Sequence, residues 1–257
     1  DIDHTKYMLI IGGNPLASNG SIMTVPDVTK RLKAIQKRGG KFIVIDPRKT
    51  ETAAIADQHH FIRPGSDAFL LMAMINTLFA ENLVNTGHLS DVIDNLEQVK
   101  TAAASFTPEL AQQHTGIDAD TVRQLARDMA TTDGAVCYGR MGVSVQVFGS
   151  LCQWAIQIIN ILTNSLDVRG GSIASNPAFG YVTKGSNGAG SFGRWHSRVS
   201  KLPEFSGETP ATVLAEEMLT PGEGQIKALI TTAGNPVLSA PNGNEMDKAL
   251  AGLEFMA

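Results

Sequence analysis

An α/β fold with a parallel sheet is what this sequence predicts, on three observations. Short runs at 8–11, 41–45 and 135–138 are almost wholly apolar, the composition of strands buried on both faces rather than the alternation of a half-exposed strand. Segments with helical apolar spacing lie between them, at 25–37, 67–82 and 118–129. An apolar strand running into Gly-Asn-Pro occurs twice, at Gly13-Asn14-Pro15 and at Gly234-Asn235-Pro236, too far apart for a solenoid or propeller repeat. The sequence therefore reads as a dinucleotide-binding-like α/β domain, a Rossmann-like variant, followed by part of a second related α/β unit.

The elements follow in order. The first strand, 8–11, ends at Gly12-Gly13-Asn14-Pro15; a helix over 25–37 carries Val28, Leu32 and Ile35 on one face and stops at Gly39-Gly40. A second strand, 41–45, ends at Asp46-Pro47, and a weaker one is expected at Phe61-Ile62 before Arg63-Pro64-Gly65. Phe69, Leu70, Ala73, Met74 and Leu78 recur at helical spacing, and two shorter helices are expected within 89–104. Asp118 is the expected N-cap of a helix burying Val122, Leu125, Ala126 and Met129. Gly134 opens the strand 135–138, Gly139-Arg140-Met141-Gly142 closes it, and a long amphipathic helix spans 148–162. The Gly/Ser-rich stretch that follows reads as an irregular surface or cavity-lining segment, with one short helix at 212–218. After Gly222 the alternation restarts, with strands at 226–231 and 253–256 around a helix at 245–250. The expected division is an α/β cofactor-binding domain at 1–172, an irregular connecting segment at 173–225, and the incomplete second unit at 226–257.

Composition narrows function. In 257 residues there are 21 Lys plus Arg, 25 Asp plus Glu and 43% apolar residues, an ordinary globular balance with no basic footprint for nucleic acid. The longest apolar stretches, 69–80 and 154–162, fall short of the roughly 20 residues that cross a bilayer, so no membrane span is expected. The two cysteines, Cys137 and Cys152, lack zinc or iron–sulfur spacing and read as reduced core thiols. Both ends fall close to strand-like text, so the chain reads as a fragment; the expected compartment is the cytoplasm.

Several motifs carry two readings each. Gly12-Gly13-Asn14-Pro15 is either a turn or a place where backbone and a helix N-terminus approach a phosphate. Asp46, at a strand end, is either a turn former before Pro47 or an acceptor for ribose hydroxyls. Asp67 after Pro64-Gly65-Ser66 either caps the next helix or accepts the paired N1 and N2 hydrogens of guanine. Gly188-Ala189-Gly190-Ser191-Phe192-Gly193 fits Gly-x-Gly-x-x-Gly but has neither a strand before it nor a helix after it. His59-His60 near Asp57 has no third metal ligand at recognisable spacing, so one ordered and one exposed histidine are expected. No nucleophile elbow, Walker loop or His-Glu-x-x-His occurs.

The string Val44-Ile45-Asp46-Pro47-Arg48-Lys49-Thr50-Glu51-Thr52-Ala53-Ala54-Ile55-Ala56-Asp57 with Ile62-Arg63-Pro64-Gly65-Ser66-Asp67 closely resembles the middle of the molybdopterin oxidoreductase family of dimethyl sulfoxide reductase, nitrate reductases and formate dehydrogenases. Gly13-Asn14-Pro15, Met141-Gly142, Leu162-Thr163-Asn164 and Gly234-Asn235-Pro236 join that resemblance, and the stretch 175–203 is least similar. The resemblance implies two pseudo-symmetric domains, each holding one molybdopterin guanine dinucleotide, the pair chelating a single molybdenum or tungsten atom. By position, Gly12, Gly13, Asn14 and Pro15 serve one cofactor's phosphates or pterin, and Asp46, Pro47, Arg48 and Lys49 frame its ribose and guanine end. Gly65, Ser66 and Asp67 complete the guanine site, Met141 and Gly142 approach the metal end, and Asn235 serves the second dinucleotide.

The resemblance also implies two-electron redox or oxygen-atom transfer on a small-molecule substrate, an electron-transfer partner or iron–sulfur subunit, and a [4Fe–4S] cluster and metal-ligating residue upstream of this chain. No catalytic residue and no metal ligand are assigned within it, and the chain alone is expected to be inactive. Asn176-Pro177-Ala178-Phe179-Gly180 departs from the Pro-x-Arg-Gly-Gln-Asn motif of formate dehydrogenases, which speaks against formate. Arg194, His196 and Arg198 line either a substrate funnel or an exposed basic loop. Two other readings fit parts of the pattern: the nucleotide-binding middle domain of a thiamine diphosphate enzyme, and a non-catalytic nucleotide-binding module.

Overall fold

The structure, a computed structural model, describes residues 1–20, 23, 25–174, 192–205 and 207–257. It divides into two compact units, Asp1–Ala174 and Ser175–Ala257.

The first unit holds a four-stranded parallel sheet of β1 (Tyr7–Ile11), β2 (Lys41–Ile45), β3 (Gln58–His60) and β4 (Ala135–Gly139), in the order β3-β2-β1-β4. Adjacent residues on buried strands face opposite sides, and the core divides accordingly. Tyr7, Leu9, Ile11, Ile43, Ile45, Ala135 and Cys137 pack toward α4 (Asp67–Ala80), α6 (Pro108–Thr115), α7 (Ala119–Thr131) and α9 (Gly149–Leu162). Met8, Ile10, Phe42, Val44 and Val136 face α2 (Val28–Lys37) and α3 (Glu51–Ile55). The remaining helices of this unit are α1 (Pro15–Ser18), α5 (Leu96–Ala103) and α8 (Met141–Ser144).

Local chemistry sets the helix ends. Thr50 caps α3, Thr107 caps α6 with Pro108 at the first helical position, and Asp118 caps α7, accepting from Thr121 N–H at 2.8 Å. The α4 helix is apolar nearly all round because it is the centre of its layer, touching α5, α6, α7 and α9. At the open edge of the sheet, Asn160 on α9 stands in for a fifth strand. Its Oδ1 accepts from Cys137 N–H at 2.8 Å, and its Nδ2 donates to Cys137 O at 2.9 Å. Both backbone groups of a buried edge residue are thereby satisfied.

The second unit starts, among the described residues, with an antiparallel pair, β5 (Phe192–His196) and β6 (Pro203–Phe205), within the stretch expected to be irregular. Two arginines hold it. Arg194 pairs with the buried Glu204 at 2.9 Å and lies over the Trp195 ring, and Arg198 pairs with the buried Glu217 at 3.1 Å and donates to Thr220 O at 2.7 Å. Arg194 and Arg198 are therefore neither a free basic loop nor a free funnel lining, while His196 is exposed. After α10 (Leu214–Leu219) the chain forms β7 (Ala228–Leu229), α11 (Pro236–Ser239), α12 (Gly243–Ala251) and β8 (Phe255–Met256), the two strands pairing in parallel.

Three expectations are corrected. The third strand is Gln58–His60 and ends before Phe61, whose ring is 60% exposed. One α-helix, not two, occupies 89–104; the Gly87–Leu89 turn before it is a 3-10 helix. Asp67 is the first residue of α4 rather than its cap. The formate-motif comparison at 176–180, and the Gly-rich pattern at 188–193 apart from its last two residues, lie outside the described residues.

Candidate cofactor-binding edge of the sheet

Register brings the expected residues of the first unit to one edge. Ile11 pairs with Ile45 and with Gly139, and Ile45 pairs with His60, so the four strands end level. The next residues, Gly12, Asp46, Phe61 and Arg140, open the four loops along that edge. The chain leaves β1 toward β2 on one side while β4 lies on the other, so the connections diverge between β1 and β4, the geometry at which open parallel sheets take ligands.

Gly12 and Gly142 meet there backbone to backbone. Gly142 N–H donates to Gly12 O at 2.9 Å, Gly12 has φ +56°, and a Cβ on it would fall 2.5 Å from Val143 N. The chain itself demands this glycine. Gly13 is also enclosed, a Cβ there meeting Ile10 and Arg140 side-chain carbons at 3.1 Å. Asn14 caps α1 by position, with Pro15 buried behind it, but its amide turns to α3. Its Oδ1 accepts from Thr52 Oγ1 at 2.7 Å, and its Nδ2 donates to Glu51 Oε2 at 2.7 Å. Thr52 and Glu51 are partners that sequence reasoning missed, because nothing in the spacing links positions 37 residues apart.

The β2 loop is an Asx turn. Asp46 Oδ1 accepts from Arg48 N–H at 2.8 Å, while Pro47, Arg48 and Lys49 are exposed. Both readings of Asp46 thus share one geometry, since the second oxygen has no partner among the described residues. His59 Nε2 lies 3.0 Å from Asp46 O, fixing the turn against β3. In the third loop Gly65 turns at φ +80° with open space before it, and the Ser66 hydroxyl is spent on Arg63 O at 2.6 Å.

Asp67 is 5% exposed and forms no ion pair among the described residues. Its Oδ2 accepts from Gln146 Nε2 at 2.9 Å. Burial pushes its carboxyl above the usual carboxylate range, the Gln146 hydrogen bond pulls it back, and the negative charge of Asp46 pushes the same way as burial. That Asp46 is felt at Asp67 places the two carboxylates in one neighbourhood. In the fourth loop the Met141 side chain is exposed at the start of α8. In the second unit Asn235 caps α11, its Oδ1 accepting from Val237 N–H at 3.1 Å, and the turn around it is exposed.

The edge offers acceptors at Asp46 and Asp67, cations at Arg48 and Lys49, and a buried amide oxygen, Gln146 Oε1, without a partner among the described residues. That donor and acceptor set fits a nucleotide bearing N–H donors and phosphate. It does not fit a bare metal: among the described residues no three His, Cys, Asp or Glu side chains are grouped to hold one. Cys137 and Cys152 are free and buried, their thiols pushed by burial to about 12 and about 11, far from the thiolate that ligates metal.

Comparison with known proteins covers nearly the whole chain. The family model described as molybdopterin oxidoreductase matches residues 1–256. The alpha subunit of an F420-dependent formate dehydrogenase from Methanocaldococcus jannaschii is 27% identical over 100% of this chain and 38% of its own length. The catalytic subunit of an assimilatory nitrate reductase from Bacillus subtilis is 26% identical over 99% and 37%. Acetylene hydratase from Pelobacter acetylenicus has the same fold over 100% of this chain and 38% of its own, with TM-score 0.77 at 21% identity. The chain thus spans well under half the length of these relatives. A match over nearly every residue sets aside the thiamine diphosphate reading, and the chain belongs to the molybdopterin oxidoreductase family.

Proposed function

We propose that this chain is the central cofactor-binding portion of an oxidoreductase carrying a molybdenum or tungsten bis(molybdopterin guanine dinucleotide). In this reading the sheet edge of the first unit holds the guanosine end of one dinucleotide. The observation that carries it is Asp67, a buried carboxylate facing no cation among the described residues. Burying a carboxylate against one amide donor and no cation is costly, so a fold that does so keeps it for a further donor from outside. Guanine supplies two parallel N–H donors, which adenine cannot match. Asp46 accepts from the ribose, and Arg48 and Lys49 lie exposed beside it to meet phosphate. Asn235, with an open turn around it, serves the second dinucleotide.

When bound, the metal and its dithiolenes supply two-electron redox or oxygen-atom transfer on a small molecule; the protein contributes orientation, electrostatics and the exclusion of competing ligands. The iron–sulfur cluster, the metal ligand and the electron partner belong in this reading to polypeptide outside the matched region. Calorimetry of the 257-residue chain with GDP and ADP tests the guanosine site. GDP binding that Asp67→Asn weakens by about 1 to 3 kcal/mol is the expected result. Equal affinity for the two nucleotides, or no effect of the substitution, would refute it.

A further inference from the structure

We infer that Gln146 is the positioning residue for Asp67: its side-chain amide holds the carboxylate, oriented and charged, at the point where guanine is read. The inference rests on the guanine reading of Asp67 and adds a residue from a different element to it.

The geometry is specific. Gln146 lies in the short link between α8 and α9, and 79 positions separate it from Asp67. Its Nε2 donates to Asp67 Oδ2 at 2.9 Å and to Val143 O at 3.2 Å, so both amide hydrogens are spent. The bond to Val143 ties the amide to backbone, which fixes the direction from which the carboxylate is approached. Gln146 Oε1 is buried with no partner among the described residues. Turning the amide over would set its oxygen against a carboxylate oxygen, acceptor against acceptor, unless Asp67 carried a proton. The link therefore tolerates an orphaned carbonyl in order to keep a donor on Asp67, and an orphaned buried acceptor is not cheap.

What this arrangement does for Asp67 follows from its surroundings. Burial and the Asp46 carboxylate at the end of β2 favour the protonated acid, and the Gln146 amide, with the backbone N–H of Asp67 itself, works against them. An ionised Asp67 keeps Oδ1 and a second lone pair on Oδ2 for two N–H donors. A protonated one offers an O–H where guanine also offers hydrogen, and recognition is lost. Gln146 thus sets the pH down to which the guanine acceptor survives.

The test is the pH profile of GDP binding to the 257-residue chain and its Gln146→Leu variant, between about pH 5 and pH 8. In both proteins affinity falls on acidification as Asp67 takes up a proton. In Gln146→Leu the fall begins about one pH unit higher, so binding is about tenfold weaker on the acid side and near the parent's on the alkaline side. A uniform loss at every pH, with an unmoved midpoint, marks a merely structural role and overturns the inference. Carbon-13 titration of the Asp67 carboxyl without nucleotide separates the two claims. An unshifted midpoint in folded Gln146→Leu overturns the positioning role alone. A shifted midpoint in a chain whose parent fails to bind GDP overturns the guanine reading and, with it, the inference built on it.

Discussion

Two turns of the same sequence, Gly13-Asn14-Pro15 and Gly234-Asn235-Pro236, do the same thing locally and different things in the fold. Each places Asn as an N-cap and Pro at the first position of a four-residue helix, α1 or α11. Each is followed by a longer helix whose cap residue is left-handed, Asp27 at φ 52° before α2 and Asn242 at φ 56° before α12, and then by a parallel strand. The wiring then diverges. Asn14 spends its amide on Glu51 and Thr52 of α3, whereas Asn235 spends its own on Val237 of the helix it caps. Gly12 and Gly13 are both closed in, by the Gly142 and Val143 backbone and by Ile10 and Arg140 side chains; at their counterparts, Ala233 holds the same left-handed φ, 55°, with a side chain, and the nearest atom to a Cβ on Gly234 is 3.9 Å away. A local motif fixes the turn, and what neighbours it decides whether the turn is a keystone or an open ledge.

The largest expected difference is at the glycines. Gly12→Ala forces a left-handed φ on a side chain and drives its Cβ into backbone that cannot rotate aside, so a loss of about 3 kcal/mol or more is expected in denaturant unfolding. Gly234→Ala should change stability by less than about 0.5 kcal/mol. Equal costs would mean that the second turn is as packed as the first and would remove the contrast. Next come the asparagines. Asn14→Ala breaks hydrogen bonds to a second helix and is expected to cost about 2 kcal/mol, while Asn235→Ala loses one exposed cap and costs about 1 kcal/mol or less. A double-mutant cycle of Asn14 with Thr52 sharpens this: coupling of at least about 0.5 kcal/mol is expected, and additivity would assign Asn14 a purely local role.

How far the sequence reveals the fold follows the same local-versus-distant divide. Strands β1, β2 and β4 are legible because a strand buried on both faces is apolar throughout, and α7 because Asp118 and its apolar spacing agree. The Thr107-Pro108 pair carried an equally clear signal for α6 that periodicity alone passes over. β3 is not legible: it is three residues of Gln and His, made a strand by pairing with β2 rather than by composition. At the edge, Asp46 and Asp67 are recognisable from the turns around them. Gln146 is not, since it meets Asp67 in a contact between distant elements, and nothing in the spacing shows that the Gly142 backbone closes on the glycine at 12.

The last contrast is between buried carboxylates. Glu204 and Glu217 in the second unit each face an arginine, whereas Asp67 in the first faces an amide. The signs are opposite. The Arg194 hydrogen bonds hold the Glu204 carboxyl below the usual range, so its pairing stabilises the fold above that range and is lost as pH falls through the lowered value. Asp67 is raised by burial, so its ionisation opposes folding: the penalty is absent below the usual carboxylate range and grows as pH rises through the raised value. Asp67→Asn keeps an acceptor for Gln146 and removes the charge. It should therefore raise the melting temperature of the nucleotide-free chain at neutral pH, by a gain on the order of 1 kcal/mol that fades on acidification. Arg194→Ala should lower stability at neutral pH and matter progressively less in acid. Thermal unfolding of the two variants at neutral and acid pH decides the matter. A destabilised Asp67→Asn at neutral pH would show that the carboxylate is kept for the fold itself, and the case for an external donor at that edge would lose its physical ground.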